Sequence, residues 1–270
     1  MVILVDIGGT KTRVAVSADG KTIFGKETFD TPDTPKEGLE RVRTTVQKLY
    51  NGEPLEMAII GIAGVCSPDR TELVQSPHLP KWVHHFTVSD ATISLGVPVY
   101  FENDAALGAL GEATEGAGKD CSIMAYVTVG TGVGGARIVN KTIDRTYFGF
   151  EIGQQLVSFE GEAQLLEKVL SGSTLEKRYG TSSKNIKDEK MWNEVAQIFA
   201  DGLYNTIVHW SPQCVVLGGS VMKDIPLQIV AERLVERMHI FPELPRLVRG
   251  ELGDLCGIYG GMALAHTLHR

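Results

Sequence analysis

A buried-type strand, a glycine-rich turn and a second strand occur twice in this chain, about 120 residues apart. The first copy runs through an apolar stretch at 2–5 into Asp6-Ile7-Gly8-Gly9-Thr10-Lys11-Thr12, and then Arg13-Val14-Ala15-Val16. The second runs from Ser122 to Val129, through Gly130-Thr131-Gly132-Val133-Gly134-Gly135, into Ala136–Val139. A third glycine turn ends the apolar run Val215-Val216-Leu217-Gly218-Gly219-Ser220. Two similar α/β halves facing each other across a cleft form the simplest architecture that uses all three turns. The length of 270 residues suits one large domain or two moderate ones.

Glycines let the backbone curl with positive φ and bring its N–H groups against a bulky anion. In the first turn Thr10 and Lys11 add a hydroxyl and a charge, and Asp6 can hold a metal or a water beside phosphates. Taken alone, the segment is equally an ordinary glycine-rich hairpin turn. It is not a P-loop, because no G-x-x-x-x-G-K-[ST] is present and no helix follows. Residues 130–135 match G-x-G-x-x-G formally, but a dinucleotide fingerprint needs a helix directly after the turn. Ala136-Arg137-Ile138-Val139 is strand-like instead, so a second phosphate-cradling hairpin with Thr131 as hydroxyl donor fits better.

Between the turns the pattern predicts strands over 2–6, 12–17 and about 21–29, then a helix opened by the capping box Thr34-Pro35-Lys36-Glu37. Leu39, Val42, Val46 and Leu49 follow at helical spacing, and Gly52 stops the run. Met57–Gly64 is a continuous apolar run of the kind buried on both sheet faces. Val97–Phe101 is a short strand with Glu102-Asn103-Asp104 at its lip, and Ala105–Gly116 is helix-like. Further helices are expected at roughly 161–171, 190–210, 226–239 and 257–269. These elements divide into an N-terminal α/β lobe over 1–106 and a C-terminal lobe over 107–255, with a last helix at about 256–270 that can pack back on the first lobe.

The net charge of -7 and the lack of a basic stripe argue against nucleic acid as a partner. Anionic nucleotides stay open, because glycine-turn N–H groups and bound Mg²⁺ neutralise phosphate locally. No stretch reaches about 18 apolar residues, and the N-terminus lacks a basic n-region, so neither a membrane span nor a signal peptide is expected. Cys66, Cys121, Cys214 and Cys256 form no C-x-x-C pair; buried free thiols in a reducing cytosol, and a cytoplasmic location, are the expectation.

Asn103-Asp104 stands where a buried strand meets a helix. A carboxylate there can take a proton from a substrate hydroxyl, and an amide that donates and accepts suits a polyol. The same pair also reads as a helix N-cap. Glu151, between glycines in a loop, can hydrogen-bond sugar hydroxyls or be a solvated charge. His78, His84, His85 and His209 stand outside the motifs and read as structural or surface residues.

The motifs together resemble the ROK sugar kinases, of the actin- and hexokinase-like ATPase fold. Asp-Ile-Gly-Gly-Thr-Lys, Glu-Asn-Asp near 103, Gly-Thr-Gly-Val-Gly-Gly at 130–135, Glu-Ile-Gly at 151–153 and Leu-Gly-Gly at 217–219 occur in the family's order over essentially the whole chain. The fold class implied is α/β, with two similar ribonuclease H-like lobes around a central cleft. The resemblance implies that Gly8, Gly9, Thr10 and Lys11 form the first phosphate loop, with Asp6 near Mg²⁺ and touching it indirectly. Thr131 and Gly132 look like the second phosphate loop, and Gly218 and Gly219 like the adenosine-side turn. Asn103 would hold the sugar and Asp104 looks like the general base. Gly64 and Val65 resemble the loop that covers the sugar, and Glu151 matches a sugar-binding glutamate.

Two departures bear on the sugar. Gln154 stands where the family has His, and the cysteine-rich zinc loop is missing, Val157–Glu162 leading directly into a helix. No zinc site is therefore expected. Glu167 takes the place of a further sugar-contacting glutamate; it can equally be an exposed helix charge. The resemblance implies an ATP- and Mg²⁺-dependent hexose kinase, most simply a glucokinase acting on the 6-hydroxyl of glucose, working as a homodimer, with closure of the halves excluding water. N-acetylmannosamine, N-acetylglucosamine or fructose as acceptor, polyphosphate as donor, and a non-catalytic sugar sensor are the alternatives.

Overall fold

The computed structural model describes residues 1–50 and 52–269. Along the first part of the chain lie β1 (Val2–Ile7), β2 (Lys11–Ser17), β3 (Ile23–Asp30), α1 (Pro35–Leu49), β4 (Met57–Ile62), β5 (Val65–Cys66), β6 (Leu73–Gln75), α2 (Val88–Leu95), β7 (Val99–Asn103) and α3 (Asp104–Thr114). Then come β8 (Ile123–Val129), β9 (Val133–Val139), β10 (Thr142–Ile143), β11 (Leu156–Phe159), β12 (Glu162–Leu165), α4 (Leu166–Leu170), α5 (Gly172–Tyr179) and α6 (Glu189–Trp210). The chain closes with β13 (Cys214–Gly218), α7 (Leu227–Arg237), β14 (Arg246–Arg249) and α8 (Cys256–Leu268). Arg270, included in the expected last helix, lies outside the described residues.

The described residues fall into two compact units. One holds Met1–Gly116, Arg145–Gly149 and the segment from Asp254 onward; the other holds Ala117–Asp144 and Phe150–Gly253. The boundary expected at 106/107 falls inside α3, and the units part after Gly116 instead.

Each unit has a five-stranded sheet of the same plan. The first runs β3-β2-β1-β4-β7 and the second β10-β9-β8-β13-β14. In both, the first three strands of that order pair antiparallel and the rest parallel. The duplication legible in the two hairpins thus extends to the whole mixed α/β sheet. Central β4 is buried at every residue, as its unbroken apolar run requires.

α1 begins where the capping box predicts, with Thr34 Oγ1 accepting from Glu37 N at 3.4 Å and Pro35 in the first turn. Its Leu39, Val42 and Val46 join Ile3, Val14 and Ile60 in the core of the first unit. α8 packs against α3, β1 and β4. The two helices come together backbone to backbone: a Cβ on Gly260 would run into Leu107 O, and one on Gly111 into Cys256 O. In the second unit Phe199, Leu203 and Ile207 of α6 pack with Val215 and Leu217 of β13.

Two expectations are corrected. Val157–Glu162 does not lead directly into a helix: β11 and β12 form an antiparallel hairpin there, turned by Glu160 and Gly161 at φ 52 and 81. Two consecutive positive φ values are what a tight two-residue hairpin turn requires. Nor are all four cysteines free, since Cys121 and Cys214 form a disulfide, leaving Cys66 and Cys256 as thiols. The reason is topological: Cys121 precedes β8 and Cys214 opens its parallel neighbour β13. Among the described residues no helix is long and apolar enough to cross a membrane.

Candidate active site

In the first sheet the C-terminal ends of β1, β4 and β7 are neighbours, and each carries one sequence-predicted motif. The turn after β1 is closed by Gly8 N–H donating to Lys11 O at 3.0 Å and is braced from β3. Thr31 donates its N–H to Thr10 O at 3.0 Å and its hydroxyl to Gly8 O at 2.7 Å. Neither Gly8 nor Gly9 has positive φ, contrary to the sequence argument. Gly9 is needed for close approach: a Cβ there would lie 2.6 Å from His78 Cβ. Lys11 points along the ribbon, where its Nζ donates to Asp30 Oδ1 at 2.6 Å.

Asp6, facing Arg13 across the β1–β2 pair, receives a hydrogen bond from its guanidinium at 3.2 Å. Burial pushes the Asp6 carboxyl above the usual range, and Arg13 opposes that shift. Arg13 also pairs with Asp254 at 3.5 Å.

At the end of β4, Gly64 takes φ 137, and a Cβ there would lie 2.5 Å from Gln75 O, so only glycine fits. Val65 opens the short β5–β6 ribbon beyond it. At the end of β7, Asn103 is the N-cap of α3, accepting from Ala106 N at 3.0 Å, while its Nδ2 donates to Gly64 O at 3.0 Å. The N-cap reading therefore holds for this residue, and one amide N–H is left over from these two bonds. Asp104 follows in the first helical turn, with Oδ1 accepting from Ala105 N at 2.9 Å, where the helix dipole favours a carboxylate. Glu102 accepts from Arg70 Nε at 3.2 Å. Burial first, and then the Glu102 charge, push the Cys66 thiol up to about 12, so it is inert at neutral pH.

In the second unit the turn after β8 is closed by Gly130 N–H to Gly132 O at 2.9 Å. It is buttressed by α5, whose Gly172 N–H donates to Gly130 O at 2.7 Å and whose Ser173 hydroxyl donates to Thr131 O at 2.7 Å. A strand, not a helix, follows this turn, which removes the dinucleotide reading. Gly218 and Gly219 end the neighbouring β13, Gly219 at φ 93.

Glu151, Gln154 and Glu167 belong to the same unit. Gln154 is exposed on a short helical turn, its N–H donating to Glu151 O at 3.0 Å. Glu167 is not an exposed helix charge: it is buried, and its Oε2 accepts from Val133 N at 3.1 Å. The Glu151 side chain is exposed by area, yet enough protein surrounds its carboxyl to disfavour the charge. Desolvation, and then Glu167, push it above the usual range.

Among the described residues no group of three or more His, Cys, Asp or Glu side chains is gathered to hold a metal. The chemistry of Asp6, one partly buried carboxylate beside a glycine turn, fits a Mg²⁺ that arrives on phosphate oxygens.

The ROK family model matches residues 2–268. A fructokinase from Pediococcus pentosaceus is 26% identical over 97% of this chain and 96% of its own. A glucokinase from Thermotoga maritima is 34% identical over 58% of this chain and 51% of its own. The ROK hexokinase of Thermus thermophilus superposes with a TM-score of 0.84 at 25% identity, over 100% of this chain and 99% of that one. The Streptomyces griseus ROK glucokinase, solved with glucose and AMPPNP, shares the fold at a TM-score of 0.83 and 24% identity, over 98% of this chain and 99% of that one. With the duplicated sheets, the ordered glycine turns and a match spanning nearly every residue, the chain belongs to the ROK family.

Proposed function

We propose that this ROK-family sugar kinase transfers the γ-phosphoryl group of ATP to the 6-hydroxyl of glucose or a related aldohexose, with Asp104 as general base. The observation that carries this reading is the placement of three motifs on neighbouring strand ends: the Gly8-Gly9 turn, Gly64 and Asn103-Asp104.

Phosphoryl transfer needs an aligned nucleophile and donors matched to the developing charge. Asn103 holds the sugar through its remaining amide N–H, and Gly64 and Val65 cover it. Asp104 takes the proton of the hydroxyl as that oxygen bonds to phosphorus, a step worth about 10²–10⁴-fold. Backbone N–H groups of Gly9 and Thr10, in the turn that Gly8 closes, and of Thr131 and Gly132 bind phosphate oxygens, while Gly218 and Gly219 receive the adenosine side. Lys11 must first leave Asp30 to help them. Mg²⁺, when bound, would neutralise phosphate charge, and Asp6 is the residue that would hold it, indirectly. Glu151, Gln154 and Glu167 receive further sugar hydroxyls. The protein works in the cytoplasm as a homodimer on this reading.

Fructose is the second acceptor to test, since relatives aligned over most of the chain are named fructokinases. The experiment is a panel of glucose, mannose, fructose, N-acetylmannosamine and N-acetylglucosamine against ATP and polyphosphate, read as sugar phosphate formed. Glucose phosphorylated with ATP at the highest kcat/KM supports the proposal. Sugar binding without turnover in every arm would mean a sensor.

A further inference from the structure

We propose that His78 is a positioning residue for this reaction, its imidazole holding the Asp104 carboxylate in aim at the sugar hydroxyl. The inference rests on the kinase reading of Asp104 given above.

The strand order makes the argument. β4 lies between β1 and β7, and all three run parallel. Their C-terminal ends therefore line up, with Gly8-Gly9 after β1, Ala63-Gly64 after β4 and Asn103-Asp104 after β7. Neighbouring strands lie about 4.8 Å apart, so the phosphate turn and Asp104 flank a gap of about two strand spacings.

The bend after β6 closes over that gap. Ser76 Oγ donates to Ala63 O at 2.7 Å and accepts from Leu79 N at 3.1 Å, which clamps residues 76–79 to the end of the middle strand. Ser76 and Leu79 are buried. From this clamp His78 reaches Gly9 on one side, where a Cβ on the glycine would lie 2.6 Å from its Cβ and 3.3 Å from its Cγ. On the other side Asn103 Nδ2 ties the end of β7 to Gly64 O at 3.0 Å. Asp104 itself stays against β4, its Cα 3.5 Å from where a Cβ on Gly61 would sit. The root of the His78 side chain is thus held between the middle strand end and the first turn, its Nε2 is buried, and both His78 and Asp104 have partners.

An imidazole N–H donated to one carboxylate oxygen leaves the other aimed at the substrate. In the transfer, the sugar O–H bond breaks and its proton goes to Asp104. The sugar oxygen bonds to the γ-phosphorus, and the bond from phosphorus to the bridging oxygen breaks, its electron pair leaving with ADP. His78 exchanges no proton with the sugar; it fixes the geometry on which the step depends.

The test is a double-mutant cycle on the intact protein. His78→Ala is expected to lower kcat roughly 10- to 100-fold, with KM for sugar and for ATP within about twofold of wild type. His78→Asn should recover part of kcat, since an amide N–H replaces the donor, and it serves as the partner in the cycle if His78→Ala does not fold. In an Asp104→Asn background, loss of His78 should cost nothing more. Unchanged kcat in the single variant, losses that multiply in the double variant, or a loss confined to the KM for ATP would each overturn the inference. A wild-type protein that phosphorylates no sugar would instead refute the kinase reading, before any variant is made.

Discussion

Glu167 Oε2 accepts the backbone N–H of Val133 at 3.1 Å, so one buried carboxylate joins α4 to the strand that leaves the second glycine turn. Glu167→Ala leaves that N–H unpaired in the interior and should cost about 1–3 kcal/mol in urea unfolding. Glu167→Gln keeps an acceptor and should cost less. Both should raise the KM for sugar.

Asp104→Asn should lower kcat by about 10²–10⁴ while the thermal midpoint moves little, because the amide oxygen can still accept Ala105 N–H. Steady-state kinetics and a melting scan on the same preparation separate the two effects. Near-wild-type turnover would remove Asp104 from the role of base.

Glu151 should make stability depend on pH in a specific direction. Its carboxyl titrates higher in the fold than in the unfolded chain. Between those two values the folded state binds more protons, so stability falls as pH rises through the window and stays reduced above it. Glu151→Gln should therefore melt higher than wild type at about pH 7, and the gap should close below about pH 4. Sugar affinity should fall in the same variant. Melting curves across pH check the first statement and calorimetric titration the second.

Much of this was legible because each glycine turn follows a buried-type strand, and the first two also lead into another, so the repeated pattern can be read locally. The hairpin at 2–17, the buried run at 57–62 and the cap at Thr34 all carry their signals locally. What was not legible depends on pairing across distance. Lys11 reads as a phosphate ligand, but β2–β3 register sets Asp30 opposite it. Cys121 and Cys214 look isolated until β8 and β13 become neighbours, a separation of 93 residues. His78 carries no motif, and only its contact with Gly9 marks it. The Glu160-Gly161 turn was a readable signal for the β11–β12 hairpin, hidden by polar residues in β12.

Gly260→Ala should be among the most damaging single-methyl changes in the first unit. Its new Cβ would meet Leu107 O, a backbone atom that cannot swing aside. Overpacking of that kind costs about 1–3 kcal/mol, measurable by denaturant unfolding. Ala substituted at Gly130, where no atom approaches, should leave stability nearly unchanged.

Cys121→Ser combined with Cys214→Ser should lower stability by about 2–4 kcal/mol, because the bridge closes a long loop in the unfolded chain. Comparing unfolding with and without a reductant gives the same quantity in the wild type. An equal midpoint in both conditions would show that the pair is not bonded in solution.

The packing of α8 on α3, β1 and β4 has a consequence for how the protein is made. Synthesis delivers the whole second unit before it delivers this helix. Until then α3 alone packs on the side of the first sheet that it later shares with α8. The first unit is thus discontinuous in sequence, and its last helix must find α3, β1 and β4 across the whole length of the inserted second unit.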